Sequence, residues 1–285
     1  MESFLLTEMA RRALSEDLIY GDRTTEALFS HPIRAVGCVI AKEKLTVAGL
    51  NLLAAVFQCL DPKTGVDVKI ATGQTAGEGD VIAFVFADGR ALLKGERTAL
   101  NFMQRMSGIA TTTRRFVEKT AKSRVHIADT RKTTPGLRAI EKEAVLAGGG
   151  WNHRFHLGDM VLIKDNHIAL AGGIAAAIRQ VRSTLSHPLK IEVEATNEAE
   201  VREALSEGCD LILLDNLSIA AIKKCVAMIR NESPATLIEV SGGVTLDNVA
   251  AIAHCGVDVI SVGALTHSSP AVDISMDIAV EESDA

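Results

Sequence analysis

Residues 189–216, LKIEVEATNEAEVREALSEGCDLILLDN, decide the fold. Leu189–Val193 and Leu211–Leu214 are short runs of aliphatic and β-branched residues, the second continuous and the first interrupted by Lys190 and Glu192. Strands covered on both faces, as in a parallel sheet, read like the second. Between them Asn197, with Glu200 three residues on, forms a helix-starting capping pair, and Gly208 is a stop signal. The stretch is strand–helix–strand, and its second strand runs directly into Asp215-Asn216.

Outward from there the unit repeats. Similar runs stand at Val125–Ala128, Met160–Ile163, Leu237–Val240 and Val257–Val262, with helical stretches between them, one opened by Thr245 and closed by Gly256. Such alternation predicts a doubly wound sheet or a barrel. The polar residues choose between these. The strands end in Asp129-Thr-Arg-Lys132, Lys164-Asp-Asn-His167, Glu192 and Glu194, Asp215-Asn216, Ser241-Gly-Gly243 and Gly263. Six strand ends converging on one polar centre is the layout of a β/α barrel, whose active site lies at that face.

Before about residue 120 the elements are mixed. The pattern predicts a helix over 6–15 capped by Thr7, a strand at Ala35–Ala41, a helix at Gly49–Leu60, and strands at Val66–Ile70 and Val81–Ala87. An amphipathic helix follows over 90–106, broken at Gly108 and resumed over 110–121. The class is α/β, with a smaller mixed domain ahead of the barrel.

Composition narrows the function. The 285 residues are 47% hydrophobic and 23% charged, enough for a substantial core. A net charge of −6 with 4% aromatic residues argues against nucleic-acid binding, which needs a basic face. The longest uncharged apolar stretch, Ile168–Ile178, is far shorter than the ~20 residues of a membrane span. The opening MESFLLTEMARR has neither the basic start nor the small-residue cleavage site of a secretory signal. Five cysteines without C-x-x-C spacing point to a reducing compartment, so a cytoplasmic protein is expected.

Within this acidic chain, Arg131–His167 is cationic: Arg131, Lys132, Arg138, Lys142, Arg154 and Lys164 against Glu141, Glu143, Asp159 and Asp165 leave +2. That island suggests an anionic small molecule. Arg131 and Arg154 can each grip a carboxylate with two parallel N–H groups, and Lys132 and Lys164 act as point charges. Arg138 and Lys142, beside Glu141 and Glu143, read instead as surface salt bridges. The turns at Ser241-Gly242-Gly243 and Val262-Gly263-Ala264 let backbone N–H groups approach an anion, with a following helix adding its dipole, as phosphate sites do after the last strands of barrels. Glu194 and Asp215 end neighbouring strands; they can hold Mg²⁺, accept from sugar hydroxyls, or pair with Lys132 and Lys164. Gly148-Gly-Gly150 indicates close backbone approach or a mobile loop, and Trp151 is either a stacking platform or packing. A strand-end lysine such as Lys164 is also where a Schiff-base aldolase carries its nucleophile. The residues together describe a site that joins or splits a carboxylated molecule and a sugar phosphate.

Several motifs resemble those of the quinolinate phosphoribosyltransferases: Asp129-Thr-Arg-Lys-Thr-Thr-Pro-Gly-Leu-Arg138, Gly148-Gly-Gly-Trp-Asn-His-Arg154, Leu162-Ile-Lys-Asp-Asn-His-Ile168, Glu192-Val-Glu194, Leu214-Asp-Asn216, Glu239-Val-Ser-Gly-Gly243 and Ser261-Val-Gly-Ala264. Glu16-Asp-Leu-Ile-Tyr-Gly-Asp-Arg-Thr-Thr25 is similar to the family's N-terminal element. The resemblance implies an N-terminal α/β sandwich over 1–108, an open, incomplete β/α barrel over 109–268, and a tail, 269–285, returning toward the sandwich. It implies a reaction of quinolinate with phosphoribosyl pyrophosphate that needs Mg²⁺ and no organic cofactor. In it Lys132, Lys164, Glu194 and Asp215 form the catalytic set, and Thr130 belongs to the substrate-binding loop. Arg131, His153, Arg154 and Lys164 hold the two carboxylates of quinolinate. Lys132 contacts phosphoribosyl pyrophosphate, Glu194 and Asp215 meet its ribose hydroxyls and Mg²⁺, and the turns 241–243 and 262–264 take the 5′-phosphate. Arg105 is supplied by a neighbouring subunit, which implies a homodimer.

Overall fold

The computed structural model describes residues 3–281. In chain order the elements are α1 (Ser3–Leu18), α2 (Arg23–Leu28), β1 (Arg34–Ala41), β2 (Leu45–Thr46), α3 (Leu50–Leu60), β3 (Gly65–Val68), β4 (Thr75–Ala76), β5 (Val81–Asp88) and α4 (Gly89–Thr120). Strand and helix then alternate: β6 (His126–Ala128), α5 (Arg138–Ala147), β7 (Val161–Ile163), α6 (Asp165–Ala171), α7 (Ile174–Thr184), β8 (Ile191–Ala195), α8 (Glu198–Ser206), β9 (Leu211–Asp215), α9 (Ile219–Glu232), β10 (Leu237–Ser241), α10 (Val249–Ala253), β11 (Val259–Ser261) and α11 (Ala264–His267), ending in β12 (Ile274–Val280).

These elements pack into two units. The first holds the chain up to Arg114, Ala139–Gly149, and the chain from Ser268 onward; the second holds Arg115–Arg138 and Gly150–His267. Ala139–Gly149 therefore packs with the first unit, whereas the sequence reading carried the barrel domain unbroken from 109 to 268.

The first unit is built on an antiparallel sheet in the order β12-β1-β5-β3, beside a two-stranded pair of β2 and β4. β1 alternates strictly between buried and less buried positions, as a strand with one face on a core must. Its inward residues join Leu14, Leu53, Phe57, Ile82, Val85, Leu100, Met103 and Ile274 in that core.

Two expectations fail in this unit. α4 is not broken at Gly108 but runs for 32 residues. The glycine is there because a backbone crosses it: an added Cβ would overlap the Pro270 carbonyl oxygen and lie 3.2 Å from the Ala271 Cα. Nor are Glu141 and Lys142 on the surface; both are fully buried. Glu141 accepts from the Arg105 guanidinium at 2.6 and 3.1 Å. A buried carboxylate needs such a partner, since its isolated desolvation would be far more costly.

The second unit is a parallel sheet in the order β6-β11-β10-β9-β8-β7. Its strands follow one another in sequence except that the first lies beside the last. A sheet wound in both directions would instead reverse at an interior point. Only curling round brings β6 to β11, so this is a barrel, left open at the seam between β6 and β7. Arg138, also read as a surface ion-pair residue, serves here as a loop tie: it donates to Thr133 Oγ1 at 3.0 Å and to the Phe155 carbonyl at 2.9 Å. Asn197 caps α8 through bonds from the Ala199 and Glu200 amides, but Glu200 turns to the Thr196 amide rather than to that of Asn197. α10 starts four residues later than Thr245, after Asn248, whose side chain takes the Thr245 N–H in a turn. Among the described residues no helix is long and apolar enough to cross a membrane.

Replacing Gly108 by alanine tests the crossing. Alanine favours an ordinary helix interior by ~1 kcal/mol, yet crowding against backbone costs roughly 1–3 kcal/mol. The variant should melt lower than the parent in calorimetry; a rise in Tm would contradict the close contact.

Candidate active site

Period-two alternation makes the cavity. Ladder register places Leu162 opposite Glu192, Glu194 opposite Leu213, Leu213 opposite Glu239, and Ser261 opposite Ala128. Leu162, Glu194, Leu213, Asp215, Glu239, Ser241 and Ser261 line a cavity of about 580 Å³. Around it stand Thr130, Arg131, Lys132, His153, Arg154, Lys164, Asp165, Asn216, Gly242 and Gly243.

The loop that carries Arg154 is docked along the edge of β6. The Trp151 amide donates to the Ile127 carbonyl at 2.7 Å, and the Asp129 amide to the Trp151 carbonyl at 3.1 Å. The Asp129 side chain, wholly buried, accepts from the His153 amide at 2.8 Å. The Trp151 ring stacks on His126, centroids 3.5 Å apart, and stays half exposed. Upstream, in the first unit, Gly148 permits close backbone approach: a Cβ would sit 2.6 Å from the Ala110 carbonyl oxygen.

Arg131 and Arg154 face the cavity from the two arms of this arrangement. Burial, then the charge of Arg131, lowers the pKa of the Arg154 guanidinium. One of its nitrogens donates to the Met160 carbonyl at 3.0 Å. Arg131 Nε is buried with no hydrogen-bond partner. Two guanidinia that repel, one with an unanswered buried donor, form a receptor for a dianion. Lys132 donates its amide to Thr130 Oγ1 and accepts from Thr266 Oγ1 at its carbonyl, which holds the 130–132 turn.

Lys164 begins α6, its amide donating to His167 Nδ1 at 3.0 Å, and its Nζ lies 3.8 Å from Glu194. Burial, then the charge of Asp215, raises the pKa of the Glu194 carboxyl against the opposing pull of Lys164. Asp215 is steadied by Asn216, whose Nδ2 donates to Oδ2 at 2.6 Å. Asn216 is left-handed, with φ 54°, and a Cβ on Gly242 would lie 2.9 Å from its amide nitrogen; a glycine is needed there for space and for its own φ of 84°.

Beneath these groups lie Glu192 and Glu239, both buried, with His153 Nε2 at 3.3 Å from Glu192 and 3.5 Å from Glu239. Burial, then the charge of Glu192, pushes the Glu239 carboxyl up to about 7, and the Ser261 hydroxyl hydrogen-bonds to it.

Some of the expected residues are not among those lining the cavity. Val262, Gly263 and Ala264 do not line the cavity; the Val262 amide is already given to the Ala128 carbonyl, and Gly263 packs against Lys132. Arg105 belongs to the first unit. Sequence reasoning passed over Glu239, Asn216 and Ser261 as site residues. Counting back by two from Ser241 finds Glu239, and Ser261 is next to the turn already chosen.

Comparison with known proteins agrees with this geometry. Residues 22–107 match the N-terminal domain of quinolinate phosphoribosyl transferase, and residues 109–277 match its C-terminal domain. A probable nicotinate-nucleotide pyrophosphorylase (carboxylating) from Synechocystis is 44% identical over 93% of this chain and 90% of its own. One from Bacillus subtilis is 40% identical over 98% of this chain and 95% of its own. The crystal structure of NadC from Streptococcus pyogenes superposes with a TM-score of 0.94 at 36% identity, covering 99% of both chains. That of the nicotinate-nucleotide pyrophosphorylase from Francisella tularensis gives 0.92 at 35% identity, covering 98% of both. With its two family domains in order across an α/β sandwich and an open barrel, the chain belongs to the quinolinate phosphoribosyltransferase family.

Proposed function

We propose that this chain transfers the phosphoribosyl group of phosphoribosyl pyrophosphate to quinolinate with loss of CO₂, giving nicotinate mononucleotide and pyrophosphate for NAD biosynthesis. The observation that carries the reading is the Arg131–Arg154 pair: a buried, unanswered guanidinium N–H beside a second guanidinium whose pKa is lowered by burial and then by the first one's charge. Quinolinate has two adjacent carboxylates on a pyridine ring and matches that demand for a compact dianion. Lys164, at the end of β7, adds a third positive charge.

In the proposed chemistry the ring nitrogen of quinolinate bonds to C1 of the ribose as pyrophosphate leaves with the C1–O electron pair. The pyridinium so formed then loses the adjacent carboxylate as CO₂. The electrons of that C–C bond stay on the ring carbon next to the cationic nitrogen, and a proton from solvent completes the product. Positioning and electrostatics do the work: Arg131 and Arg154 orient the acceptor, Lys132 holds the donor's phosphates, and Ser241–Gly243 receive the 5′-phosphate.

Mg²⁺ fits the acidic side of the cavity. Glu194 and Asp215 are hard oxygen donors on neighbouring strands, and a cation between them would offset the burial and the charge of Asp215 that raise the pKa of Glu194. When bound, the ion would neutralise the leaving pyrophosphate; the two carboxylates would hold it or meet the ribose hydroxyls. Arg105, which pairs with Glu141 within the first unit, is proposed to act at the site of a second copy in a homodimer. The five cysteines, none in a disulfide, support a cytoplasmic location.

The first test is an assay with quinolinate, phosphoribosyl pyrophosphate and Mg²⁺ that follows nucleotide and CO₂ together, with nicotinate in parallel. Product from quinolinate alone is expected; product from neither in folded protein would refute the reading. Arg131→Ala and Lys164→Ala each lose a charge-assisted contact of about 1.5–3 kcal/mol, so the KM for quinolinate should rise roughly 10- to 100-fold with the melting temperature preserved. Because its pKa is raised, Glu194 must shed a proton before it can hold a cation. Lowering the pH through that pKa should therefore raise the Mg²⁺ concentration needed for half-maximal activity. Glu194→Gln should flatten the dependence; an unchanged profile would remove Glu194 from the ion's site.

A further inference from the structure

We infer that Asn216 is a positioning residue that locks Asp215 and the 241–243 turn into one unit, so that a ribose 5-phosphate meets the acid with its hydroxyls and the turn with its phosphate at a fixed spacing. The inference deepens the phosphoribosyl reading above and rests on it for the identity of the ligand.

Three contacts carry it. Asn216 directly follows β9, and its Nδ2 donates to Asp215 Oδ2 at 2.6 Å. Its backbone N–H donates at 3.0 Å to the carbonyl of Ser241, the last residue of the neighbouring strand β10. Its carboxamide lies over Gly242, where an added Cβ would overlap both Oδ1 and Cγ. One residue thus touches the acid on one side and two residues of the turn on the other. The far end of the turn is held separately, by Asn248 Nδ2, which donates to the Gly243 carbonyl at 2.9 Å. Two carbonyls that would repel an anion are therefore committed to donors of the chain.

Few residues could serve in this place. Among the described residues Asn216 is the one non-glycine with positive φ. Glycine, asparagine and aspartate enter that left-handed region most readily. Glycine would leave Asp215 without its donor, and aspartate would set a second carboxylate against it. The same argument orients the carboxamide: the atom beside a carboxylate has to be the nitrogen, because an oxygen there would be repelled.

The consequence is geometric. With Oδ2 held by Asn216, the Asp215 carboxylate cannot rotate without breaking a charge-assisted hydrogen bond. The turn stays in step with it because both hang on the same residue. Inorganic phosphate needs only the phosphate-binding groups, whereas a sugar phosphate needs the acid and the turn together. Asn216 therefore acts on the second ligand and hardly on the first.

Calorimetric titration of phosphoribosyl pyrophosphate into the full-length protein, at fixed Mg²⁺ and without acceptor so that nothing turns over, tests this. Displacement by inorganic phosphate supplies the control. Asn216→Gly keeps the left-handed backbone and its bond to Ser241 but removes the carboxamide. Its melting temperature should stay near that of the parent, with the Kd for phosphoribosyl pyrophosphate raised roughly tenfold or more and that for phosphate changed less than about threefold. Asn216→Asp, which keeps the shape and loses the donor, should lose as much. In an Asp215→Ala background, where no carboxylate remains to be held, Asn216→Gly should cost less than about threefold more. Parent affinity in either single variant would overturn the inference. So would an equal loss for phosphate, which would make Asn216 a prop of the turn alone, or a full further loss beside Asp215→Ala, which would make it a direct ligand. If the parent protein does not bind phosphoribosyl pyrophosphate at all, the phosphoribosyl reading itself fails and takes the inference with it.

Discussion

Negative charge inside the barrel is the constraint on which the site depends. Glu192 and Glu239 occupy interior positions of β8 and β10 where a parallel sheet ordinarily carries aliphatic residues. Moving a carboxylate out of water costs several kcal/mol even after relaxation, so these acids are tolerable only with cationic or hydrogen-bonding neighbours. Ser261 hydrogen-bonds to Glu239, while Glu192, both of whose oxygens lack a hydrogen-bond partner, has His153 Nε2 at 3.3 Å and the charge of Arg154 acting through the field. The relation also runs the other way. The charge of Glu192 offsets part of what burial and Arg131 cost the Arg154 guanidinium. Cations that face the ligand and acids that face the core balance each other, and the cavity stays polar without collapsing onto its own ion pairs.

Much of this was legible in the sequence, for definite reasons. The strands of the barrel announce themselves because burial on both faces demands apolar runs, and the site's cations and acids appear where each run stops. The sandwich strands β1 and β5 were equally plain, differing by a residue at one end from the sequence reading. What could not be read was anything set by distant chain. Gly108 looks like a helix breaker unless Pro270 is known to cross it. Glu141 and Lys142, charged and adjacent to other charges, look exposed; their burial reflects partners such as Arg105, 36 residues earlier.

The site shows the same division. Arg131, Arg154, Lys164, Glu194 and Asp215 were identifiable from charge and position, and all of them line the cavity. His153 came into the site through the family resemblance, and it too lines the cavity. Its orientation depends on Glu239, 86 residues later in the chain, and on a backbone bond within its own loop. Residue type indicated the chemistry, and only the fold indicated which way each group points. In the glycine turn at 262–264, the sheet takes the Val262 amide, a commitment that composition does not reveal.

The open seam has a consequence for how the chain behaves among other chains. A closed barrel has no edge strands, whereas this one has two, β6 and β7, with backbone groups that could template pairing with another molecule. Both are only three residues long. β6 is further shielded by Trp151, which bridges to Ala128 and folds its ring over His126. Short, partly covered edges offer too little ladder for a foreign strand to extend. The barrel can therefore remain unclosed without becoming adhesive, and the residue that guards its edge opens the loop carrying Arg154.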